Sequence, residues 1–522
     1  MERQLQDRIP IMADIQNITK QPGISIGVIY KGHEVFNKSL GVMDIANGRR
    51  PDGDTLYCIA SLSKAFMAAS LDLLAQEDKI SWDNTISSII PEYKHVDKPE
   101  LFSTMTLRDI CSHRTGLLSL DEITQGLDGR ILLPKKDVVS VCNAMPIKHD
   151  LRANFLYNNA LYELAGYIVE HVSSYSNWGD FQRDRIFKPL RMNRTTAFRS
   201  VHETDKNIAI PYMILTNGTP SKIAPTELSA DSMNGGSGAI RSSVNDLLKW
   251  CRCILQSHHG PAHGNLVRQA SPIFDRSTIA NPHSAKEGDY CFGWCQHQTP
   301  AKLGLISPNR TLESPTLGLN SPSILVYGHQ GDVPGFTCSL YIIPEDDSAL
   351  VILSNGTGLS DATDWIAQDL IQTMYGLQPT VDYVDVASRA AVQYLSHFDR
   401  DFKEPLKEHQ HSEGPVPHLA DFIGSYLMLN LDVVCLDVTL DPKGSARLQM
   451  MVNKQPDQVW GLSHYHFDVF SQLPSSYDDC LSRGLDRTLW SSFLISFSRN
   501  HNGAVTGLTW KLDGVDVQFH RA

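Results

Sequence analysis

The sequence predicts an α+β protein in two parts: an antiparallel sheet with a helical region, and an all-β domain at the C-terminus. Three observations support this prediction. A strand pair opens the chain, β-rich runs follow a helix-rich middle, and apolar residues alternate with period two over the last hundred or so residues. The 522 residues exceed one ordinary domain. We therefore expect a first domain at 1–380, a connector at 381–417 and a second domain at 418–522.

The first elements are a predicted hairpin and a long helix. Residues 24–30 and 34–40 have the composition of strands, and a short glycine turn joins them. Residues 61–76 contain neither Gly nor Pro, and their apolar residues recur at spacings that place them on one helix face. This helix should be central and buried.

The middle of the first domain is predicted to be helical, and its end returns to strands. Further helices are expected at Thr106–Ser112, Ala160–Val172 and Ser243–Leu255. β-rich runs and a last helix are expected at Phe336–Ile343, Ala349–Leu353 and Asp361–Tyr375. Residues 256–323 are rich in Ser, Pro, His and Gly, so they are expected to form long surface loops apart from a strand at Tyr290–Trp294. Strands at both ends predict one sheet that collects both ends of the domain.

The C-terminal part is marked by a polar stretch and then by a change of period. Residues 403–418 combine three prolines with Lys, Glu and His, and they are the expected linker. Beyond it, alternating apolar residues mark strands around 434–440, 448–452, 493–497, 508–512 and 515–519. The pattern predicts an antiparallel meander or a small barrel.

Charge and hydropathy exclude several classes of partner. The chain has 46 Lys and Arg against 58 Asp and Glu, a net charge of −12, and no dense basic block. Nucleic acid and anionic membrane surfaces are therefore not expected as partners. No stretch is apolar enough over about 18 residues to span a bilayer. The N-terminus lacks a secretory apolar region, so we expect a cytoplasmic protein.

Cysteine and histidine patterns do not predict a metal site. The ten cysteines are too few for a disulfide scaffold, and their spacing does not match paired CxxC zinc units, so buried reduced thiols are expected. His258, His259 and His263 lie in a Gly- and Pro-rich stretch without a Cys or acidic ligand, which indicates a solvated loop.

The most informative motif is Ser61-x-x-Lys64 at the start of the predicted helix. Three residues are nearly one helical turn, so the two side chains share a face. A serine hydroxyl is a poor nucleophile, and a lysine kept neutral by burial or by a neighbouring cation can accept its proton. The helix N-terminus also offers free N–H groups where negative charge would develop. Alone, the pattern is weak evidence and favours a helix cap followed by a surface lysine.

Two further motifs supply complementary groups. Tyr157-Asn158-Asn159 precedes a helix and offers a phenol for acid–base chemistry and an amide that can orient a lysine or a carbonyl. A buried tyrosine with an Asn cap is the alternative. His329-x-Gly331 precedes a strand, where a glycine permits close approach of the backbone to a ligand. A structural histidine is the alternative.

In this order, the three motifs resemble the S-x-x-K, Tyr- or Ser-led triplet and K-T-G-like strand of the serine β-lactamase and penicillin-binding-protein superfamily. The class C-like branch is the most similar, with its class C β-lactamases, D-aminopeptidases, esterases, acyltransferases and penicillin-binding-protein-type peptide cyclases. Other stretches that resemble this branch are Asp54–Tyr57, Leu107–Leu117, Phe187–Met192, Gly235–Gly238 and Phe292–Trp294. The resemblance covers roughly residues 15–376. It implies a β-lactamase/transpeptidase-like sheet with a helical domain.

The resemblance also implies catalytic roles for three residues and a binding role for a fourth. Ser61 would be the acylated nucleophile, and Lys64 its proton acceptor or electrostatic activator. Tyr157 would be the shuttle that protonates the leaving group. Asn159 would hold Lys64 and the acyl amide of the substrate.

Substrate binding would fall to the third motif. His329 stands where the family has lysine, which removes a permanent cation and is more similar to the D-aminopeptidases, esterases and peptide cyclases than to β-lactamases. Gly331 would allow the close approach, and the oxyanion hole would consist of the N–H groups of Ser61 and Asp332. His113 is expected to be structural, because in the family it lies in a packed segment between a helix and a loop.

These features predict a serine acyl hydrolase of esterase, amidase or peptidase type that acts on a small-molecule or peptide ester, amide or thioester. An acyltransferase, transesterase or peptide cyclase of a natural-product pathway is the alternative, and a non-catalytic scaffold is a further one. No cofactor is expected. The tail resembles, by architecture, the lipocalin-like C-terminal domains of some D-aminopeptidases and cyclases, and we expect it to border the active-site mouth.

Overall fold

The computed structural model describes residues 1–522 except 259–265, 267–277, 280–288, 412–416, 443–446 and 486–488, and except the side chains of residues 202, 203, 258, 278 and 279. The predictions for His259, for His263 and for the side chain of His258 therefore concern positions outside the described residues.

A large antiparallel sheet forms the centre of the first domain. Its strands, with the short strands of the same domain, are β1 (Gly23–Tyr30), β2 (His33–Gly41), β3 (Tyr57–Cys58), β4 (Tyr212–Ile214), β5 (Pro220–Lys222), β6 (Arg241–Ser242), β7 (Thr278–Ile279), β8 (Asp289–Tyr290), β9 (Cys295–Gln298), β10 (Leu325–Val333), β11 (Phe336–Ile343), β12 (Ser348–Ser354) and β13 (Gly356–Thr357). Within the described chain, eight of them form one sheet in the order β2-β1-β12-β11-β10-β9-β8-β7. The N-terminal hairpin pairs with β12, so the sheet collects both ends of the domain, as predicted.

Helices surround this sheet. They are α1 (Glu2–Gln6), α2 (Ile9–Thr19), α3 (Ser63–Gln76), α4 (Ile86–Ile89), α5 (Pro99–Phe102), α6 (Leu107–Cys111), α7 (Asp121–Thr124), α8 (Val138–Asn143), α9 (Ala160–Val172), α10 (Trp178–Gln182), α11 (Val201–Thr204), α12 (Gly235–Gly238), α13 (Val244–His258), α14 (Ala362–Tyr375), α15 (Tyr383–His397), α16 (Glu404–Glu408) and α17 (Tyr477–Leu481). α13 packs on one face of the sheet, and α2 and α14 pack on the other. The strands β1, β11 and β12 are consequently buried on both faces. Within the described residues, no helix combines the length and the apolar character needed to cross a bilayer.

The predicted helix at 61–76 is central and buried, but its start differs from the prediction. Residues 60–62 form a 3₁₀ turn, and the α-helix begins only at Ser63. Most of α3 is buried, including polar positions. Ser61 therefore lies at the entrance to the helix and not within its first turn.

The region 256–323 differs from the prediction of surface loops with one strand. Of the predicted strand Tyr290–Trp294, Tyr290 ends β8 and residues 291–294 connect β8 to β9, and β9 pairs with both β8 and β10. Ala301 and Leu317 are buried in the core beneath α14. The local composition did not indicate this because the stabilising partners are strands and helices distant in sequence.

The C-terminal domain is a closed antiparallel barrel. Its strands are β14 (Gly424–Met428), β15 (Leu431–Leu440), β16 (Leu448–Val452), β17 (Val459–His466), β18 (Val469–Ser471), β19 (Leu494–Arg499), β20 (Val505–Leu512) and β21 (Val515–Arg521). β14 pairs with β21 and closes the barrel. The alternating residues, such as Leu436 and Trp510, lie inside it. The predicted α+β architecture with an all-β C-terminal domain is confirmed.

Residues 383–408, which follow the first domain, are largely helical, although their composition did not indicate this. α15 presents a stripe of small and apolar residues to α2, among them Val386 and Ala390. A π-helical segment, Phe398–Lys403, and α16 follow, and their Phe402 and Leu406 side chains are buried. The expected linker at 403–418 thus begins as a helix, while the domain boundaries themselves remain predictions.

The barrel holds a loop of the first domain, residues 126–132. The fully buried side-chain amide of Gln458 pairs with the backbone of Leu127. Its Oε1 accepts a hydrogen bond from the Leu127 N–H (2.8 Å), and its Nε2 donates to the Leu127 carbonyl (3.2 Å). Arg483 forms an ion pair with Asp128 (2.6 Å). The two domains therefore share satisfied buried polar groups next to α7.

We expect Gln458→Leu to lower the free energy of unfolding by about 1–3 kcal/mol, because the Leu127 N–H would lose its partner and the Leu127 carbonyl would keep only the Arg130 N–H. Chemical denaturation measures the change. Gln449→Leu makes the same replacement at a partly exposed position in β16, and we expect it to alter stability by less than about 0.5 kcal/mol. Equal stabilities of the two variants would contradict the importance of this contact.

Candidate active site

Ser61 lies where a strained turn meets a strand of the sheet. Ala60 has a φ of +44°, a left-handed conformation that is costly for a non-glycine residue. β10 passes close to the turn: a Cβ on Gly331 would lie 2.5 Å from the Ile59 carbonyl oxygen and 3.1 Å from the Ser61 nitrogen. Glycine at this position therefore lets the strand approach the Ser61 backbone closely.

Lys64 is buried one turn further along, and its ammonium group donates three hydrogen bonds. The acceptors are Ser61 Oγ (3.1 Å), Asn159 Oδ1 (2.8 Å) and the Ser237 carbonyl oxygen (3.1 Å). The side chain has no solvent exposure. The structure thus brings together three of the residues that the sequence singled out, Ser61, Lys64 and Asn159.

Burial gives Lys64 the protonation behaviour that a base requires. Removal from water lowers its pKa to about 7, although the negative charge of Asp121 opposes the shift. A neutral amine is therefore accessible near neutral pH. The Tyr157 ring, whose centroid lies 4.6 Å from Nζ, covers the group.

Asp121 is a site residue that the sequence motifs did not reveal. It is the first residue of α7, and its Oδ2 accepts a hydrogen bond from Asn159 Nδ2 (2.9 Å). Burial raises the pKa of its carboxyl group, while hydrogen bonds from Asn159 and Ser119 oppose the rise. Asn159 thus bridges a carboxylate and Lys64, which orients its amide oxygen toward the lysine.

The Ser237 carbonyl is a second contact that the motifs did not assign. It belongs to α12, the short Gly-rich helix noted in the resemblance. The buried Glu163 holds this helix, because its Oε2 accepts the Gly236 N–H (2.5 Å). Burial raises the pKa of Glu163 to about 8.

The Tyr157 hydroxyl lies among these groups and is buried. Its pKa is raised above the ordinary tyrosine value chiefly by burial, and its interaction with Ser61 opposes the rise. A neutral phenol next to the serine can hold or release a proton. This placement is compatible with the shuttle role that the resemblance implies.

His329 is fully buried and does not present a cation. Its Nδ1 donates to the Gln330 carbonyl (2.5 Å), and its Nε2 accepts from the Tyr290 hydroxyl (3.2 Å). Burial, and then the positive charge of Lys64, lower its pKa to about 3. A neutral imidazole therefore occupies the place of the family's lysine.

An aromatic cluster surrounds the triplet, and His113 is at its centre. The His113 ring lies 4.3 Å from that of Tyr157 and 4.9 Å from that of Tyr290, centroid to centroid. Its Nδ1 accepts a hydrogen bond from the Asn158 N–H (3.1 Å), and burial lowers its pKa well below the usual range. A neutral, packed histidine is in keeping with the structural role expected for it.

The Asp332 side chain points to the sheet face opposite Ser61, because successive residues of a strand alternate and Gly331 faces Ser61. Asp332 follows Gly331 in β10, and its side chain is exposed and faces a cavity. Its strand continues past the end of β9, which pairs only with residues 325–328 of β10. Across the described residues, no group of three or more His, Cys, Asp or Glu side chains is placed to hold a metal ion.

A family model described as Beta-lactamase matches residues 11–373. The match covers more than half of the chain, so the protein belongs to the beta-lactamase family. This agrees with the fold and with the motifs around Ser61. Two of the relatives that the chain matches are named hydrolases.

The chain is similar to two curated proteins at low sequence identity. The unguisins hydrolase ungD' of Aspergillus campestris (strain IBT 28561) is 24% identical over 364 residues, 67% of this chain and 62% of that protein. Protein flp of Staphylococcus aureus (strain MW2) is 25% identical over 337 residues, 64% of this chain and 59% of that protein. The chain thus matches less than two thirds of the length of these relatives.

Solved structures show the same fold. The octameric penicillin-binding protein homologue from Pyrococcus abyssi is similar with a TM-score of 0.57 at 18% identity, covering 98% of this chain and 99% of that chain. The D-stereospecific amidohydrolase from Streptomyces sp. gives a TM-score of 0.54 at 18% identity, covering 71% and 99%. At such identities the likeness concerns the fold alone.

Asp121→Asn should move the acid limb of the pH profile of acylation to lower pH. The negative charge raises the pKa of Lys64, so its removal lowers the midpoint below about 7, while the amide oxygen can still accept from Asn159. Stopped-flow acylation rates between about pH 5 and pH 9 measure the midpoint. A midpoint that stays in place or rises would show that Asp121 does not act on Lys64.

His329 should add no pH dependence to substrate binding. Because its pKa is lowered to about 3, it stays neutral from about pH 5.5 to pH 8.5. Any pH dependence of the KM ratio of a carboxylate-bearing ester to an uncharged ester should therefore be the same in the native enzyme and in His329→Asn, because Lys64, whose pKa is about 7, is common to both. A rise of the ratio with pH that His329→Asn removes would indicate an imidazolium.

Proposed function

We propose that the protein is a serine acyl hydrolase that forms an acyl-enzyme on Ser61 from an ester, amide or thioester. The observation that carries this proposal is the hydrogen bond between Ser61 Oγ and a buried Lys64 whose pKa is lowered to about 7. A surface lysine after a helix cap would keep its charge and would not need three buried acceptors. This placement argues against a non-catalytic scaffold.

Acylation begins with the transfer of the Ser61 hydroxyl proton to neutral Lys64. The serine oxygen attacks the carbonyl carbon, and negative charge develops on the carbonyl oxygen. The N–H groups of Ser61 and Asp332 would stabilise this charge, a role supported by the close approach of Gly331 to the Ser61 backbone. Tyr157 would then protonate the leaving group and take a proton back from Lys64 as the acyl-enzyme forms, so that both side chains end neutral.

Deacylation uses the same groups in reverse order. A water molecule attacks the acyl-enzyme carbonyl, and neutral Lys64 accepts its proton, directly or through Tyr157. Lys64 then passes this proton to the Ser61 oxygen as that oxygen leaves. The net reaction is hydrolysis of the ester, amide or thioester to an acid and an alcohol, amine or thiol. Acyl transfer would differ only in the second nucleophile.

Relatives favour hydrolysis of amides or related bonds. One relative is named an unguisins hydrolase, and one structural neighbour is a D-stereospecific amidohydrolase. The neutral His329 lacks the fixed charge that would bind the carboxylate of a β-lactam. We therefore propose an esterase, amidase or peptidase, with a natural product or peptide as substrate, and not a β-lactamase.

We also propose that the protein is cytoplasmic. All ten cysteines are buried thiols. Thiols of this kind persist in reducing compartments. This supports the cytoplasmic placement that we expect from the sequence.

Covalent labelling with a fluorophosphonate probe should depend on Ser61. We expect Ser61→Ala to abolish labelling with the fold intact, because one hydroxyl at a helix entrance is removed. Ser88→Ala, at an exposed helix position, is the matched control and should label fully. Peptide mapping locates the modified residue, and a label that persists in Ser61→Ala would assign the nucleophile elsewhere.

Removal of the base should slow acylation strongly. We expect Lys64→Ala to reduce the acylation rate constant by about 10²-fold or more, since base assistance has this magnitude. Lys79→Ala, at an exposed lysine beyond the end of α3, should retain the rate. An unchanged rate in Lys64→Ala would transfer the role of base to another group.

A further inference from the structure

Asn234 is a fully buried polar residue that the proposed mechanism does not use. It directly precedes α12 and has a φ of +62°, a left-handed conformation that asparagine and glycine adopt more readily than other residues. At the start of a helix, an asparagine side chain usually accepts a hydrogen bond from the first N–H groups of that helix. Here the side chain makes no such bond to Gly235–Gly238, so its amide group serves another contact.

The amide group of Asn234 reaches α7. Its Nδ2 donates to Thr124 Oγ1 (2.9 Å) and, in a longer hydrogen bond, to Asp121 Oδ1 (3.5 Å). These acceptors determine which end of the amide points to α7. An ionised carboxylate can only accept, and the Thr124 hydroxyl already donates to the Leu120 carbonyl (3.0 Å). The side chain therefore joins the start of α12 to both ends of α7.

The backbone of Asn234 holds a second group of the site. Its carbonyl oxygen accepts hydrogen bonds from the Ser237 hydroxyl (2.7 Å) and from the Ser237 N–H (3.1 Å). Ser237 in turn presents its own carbonyl oxygen to Lys64 Nζ (3.1 Å). One residue therefore contacts Asp121 through its side chain and supports, through its main chain, the carbonyl that binds the lysine.

These contacts close a ring of hydrogen bonds around Lys64. In one half, Lys64 Nζ donates to Asn159 Oδ1 (2.8 Å), and Asn159 Nδ2 donates to Asp121 Oδ2 (2.9 Å). In the other half, Lys64 Nζ donates to the Ser237 carbonyl, and Ser237 is bonded to Asn234. The hydrogen bond between Asn234 and Asp121 joins the two halves. A shift of α7 or α12 therefore changes the surroundings of the lysine.

The contact between Asn234 and Asp121 also concerns the charge beside Lys64. A hydrogen bond donated to a carboxylate favours its ionised form, and the negative charge of Asp121 acts to raise the pKa of Lys64. Among the described residues, the other titratable groups that face the lysine are kept neutral by burial, which raises the pKa of the phenols and lowers that of the imidazoles: Tyr157, Tyr162, His113 and His329. Asn234 thus contacts the carboxylate whose charge acts on the base.

We propose that Asn234 is a positioning residue for the base of the reaction, because it closes the ring that holds the Lys64 amine against Ser61. The inference rests on the proposed acyl hydrolase function and adds to it a residue that touches neither the substrate nor the reacting atoms. Asn234 acts through two neighbours, the Asp121 carboxylate and the backbone of Ser237. The sequence motifs did not mark it, because its partners on α7 are 110 and 113 positions away in the chain.

Asn234→Asp tests the contact with Asp121. Aspartate has the same shape and tolerates a positive φ, but it replaces the donating NH₂ group by a carboxylate oxygen. The ammonium group of Lys64 favours ionisation of both carboxylates, and the added charge favours the ammonium in turn. The midpoint of the acid limb of acylation should therefore rise from about 7 by about one pH unit or more. Stopped-flow acylation by p-nitrophenyl acetate measures the midpoint, and a midpoint that stays in place or falls would overturn the contact.

Asn234→Gly separates the side chain from the turn, because glycine adopts the positive φ readily but donates nothing to α7. We expect the acylation rate constant at the pH plateau to fall by about tenfold with little change in KM, since the lysine is oriented less precisely while the substrate contacts remain. Asn430→Gly is the matched control: Asn430 has a φ of +66° in an exposed turn of the barrel, and its replacement should keep the native rate. An unchanged rate in Asn234→Gly would reduce Asn234 to a turn residue.

A double variant shows whether Asn234 acts through Asp121. In Asp121→Asn the amide oxygen serves Asn159, so the NH₂ group that faces Asn234 offers it no acceptor. Adding Asn234→Gly to Asp121→Asn should therefore reduce the acylation rate constant by about threefold or less, compared with about tenfold in the native background. Equal losses in the two backgrounds would show that the residues act independently, and they would contradict the ring.

A measurement without turnover separates this inference from the proposed chemistry. NMR titration of the lysine ε-carbon resonances, with Lys64→Arg to assign the signal, should show Lys64 losing its proton about one pH unit or more higher in Asn234→Asp than in the native protein. Fluorophosphonate labelling at Ser61 tests the chemistry alone. Labelling with equal titrations would refute the role of Asn234 and keep the hydrolase, whereas a shifted titration without labelling would refute the hydrolase and keep the contact.

Discussion

The burial of the Lys64 ammonium is the constraint around which the site is organised. A charge removed from water must be compensated by hydrogen-bond acceptors or must lose its proton. Here three acceptors from different elements converge on it: Ser61, Asn159 and the Ser237 carbonyl. The starts of α3 and α9 and the Gly-rich α12 must therefore meet at one point, and the packing of the helical region follows from this requirement.

The same constraint extends outward to the second domain. Asp121 holds Asn159 and lies just before the loop whose Leu127 is held by the buried amide of Gln458 in the barrel. The barrel therefore borders the elements that position the lysine. α17 of the same domain also lines the cavity beside Asp332. The C-terminal domain can thus support the site through Gln458 and form part of the cavity beside Asp332.

Much of the fold was predictable because local periodicity reflects burial. The helix Ala160–Val172 and the strand Phe336–Ile343 lie where the pattern placed them. The helix in the connector was not predicted. The small residues of α15 give only a weak apolar pattern, and the helix α2 on which they pack is nearly four hundred positions away in the chain. β9 was not predicted for a similar reason: its pairing with β10 stabilises a strand that its own composition does not favour.

The sequence by itself determined which residue types carry the chemistry. It also determined one short-range geometry, because Ser61 and Lys64 are one turn apart at the entrance to a helix. Only the tertiary structure decided the protonation state of the site residues. Whether Lys64 titrates near neutral pH, and whether His329 is a cation, depend on burial and on neighbours such as Tyr290 that lie far away in the chain. Spacing along a chain encodes which side chains share a face, but desolvation is a property of everything packed around them.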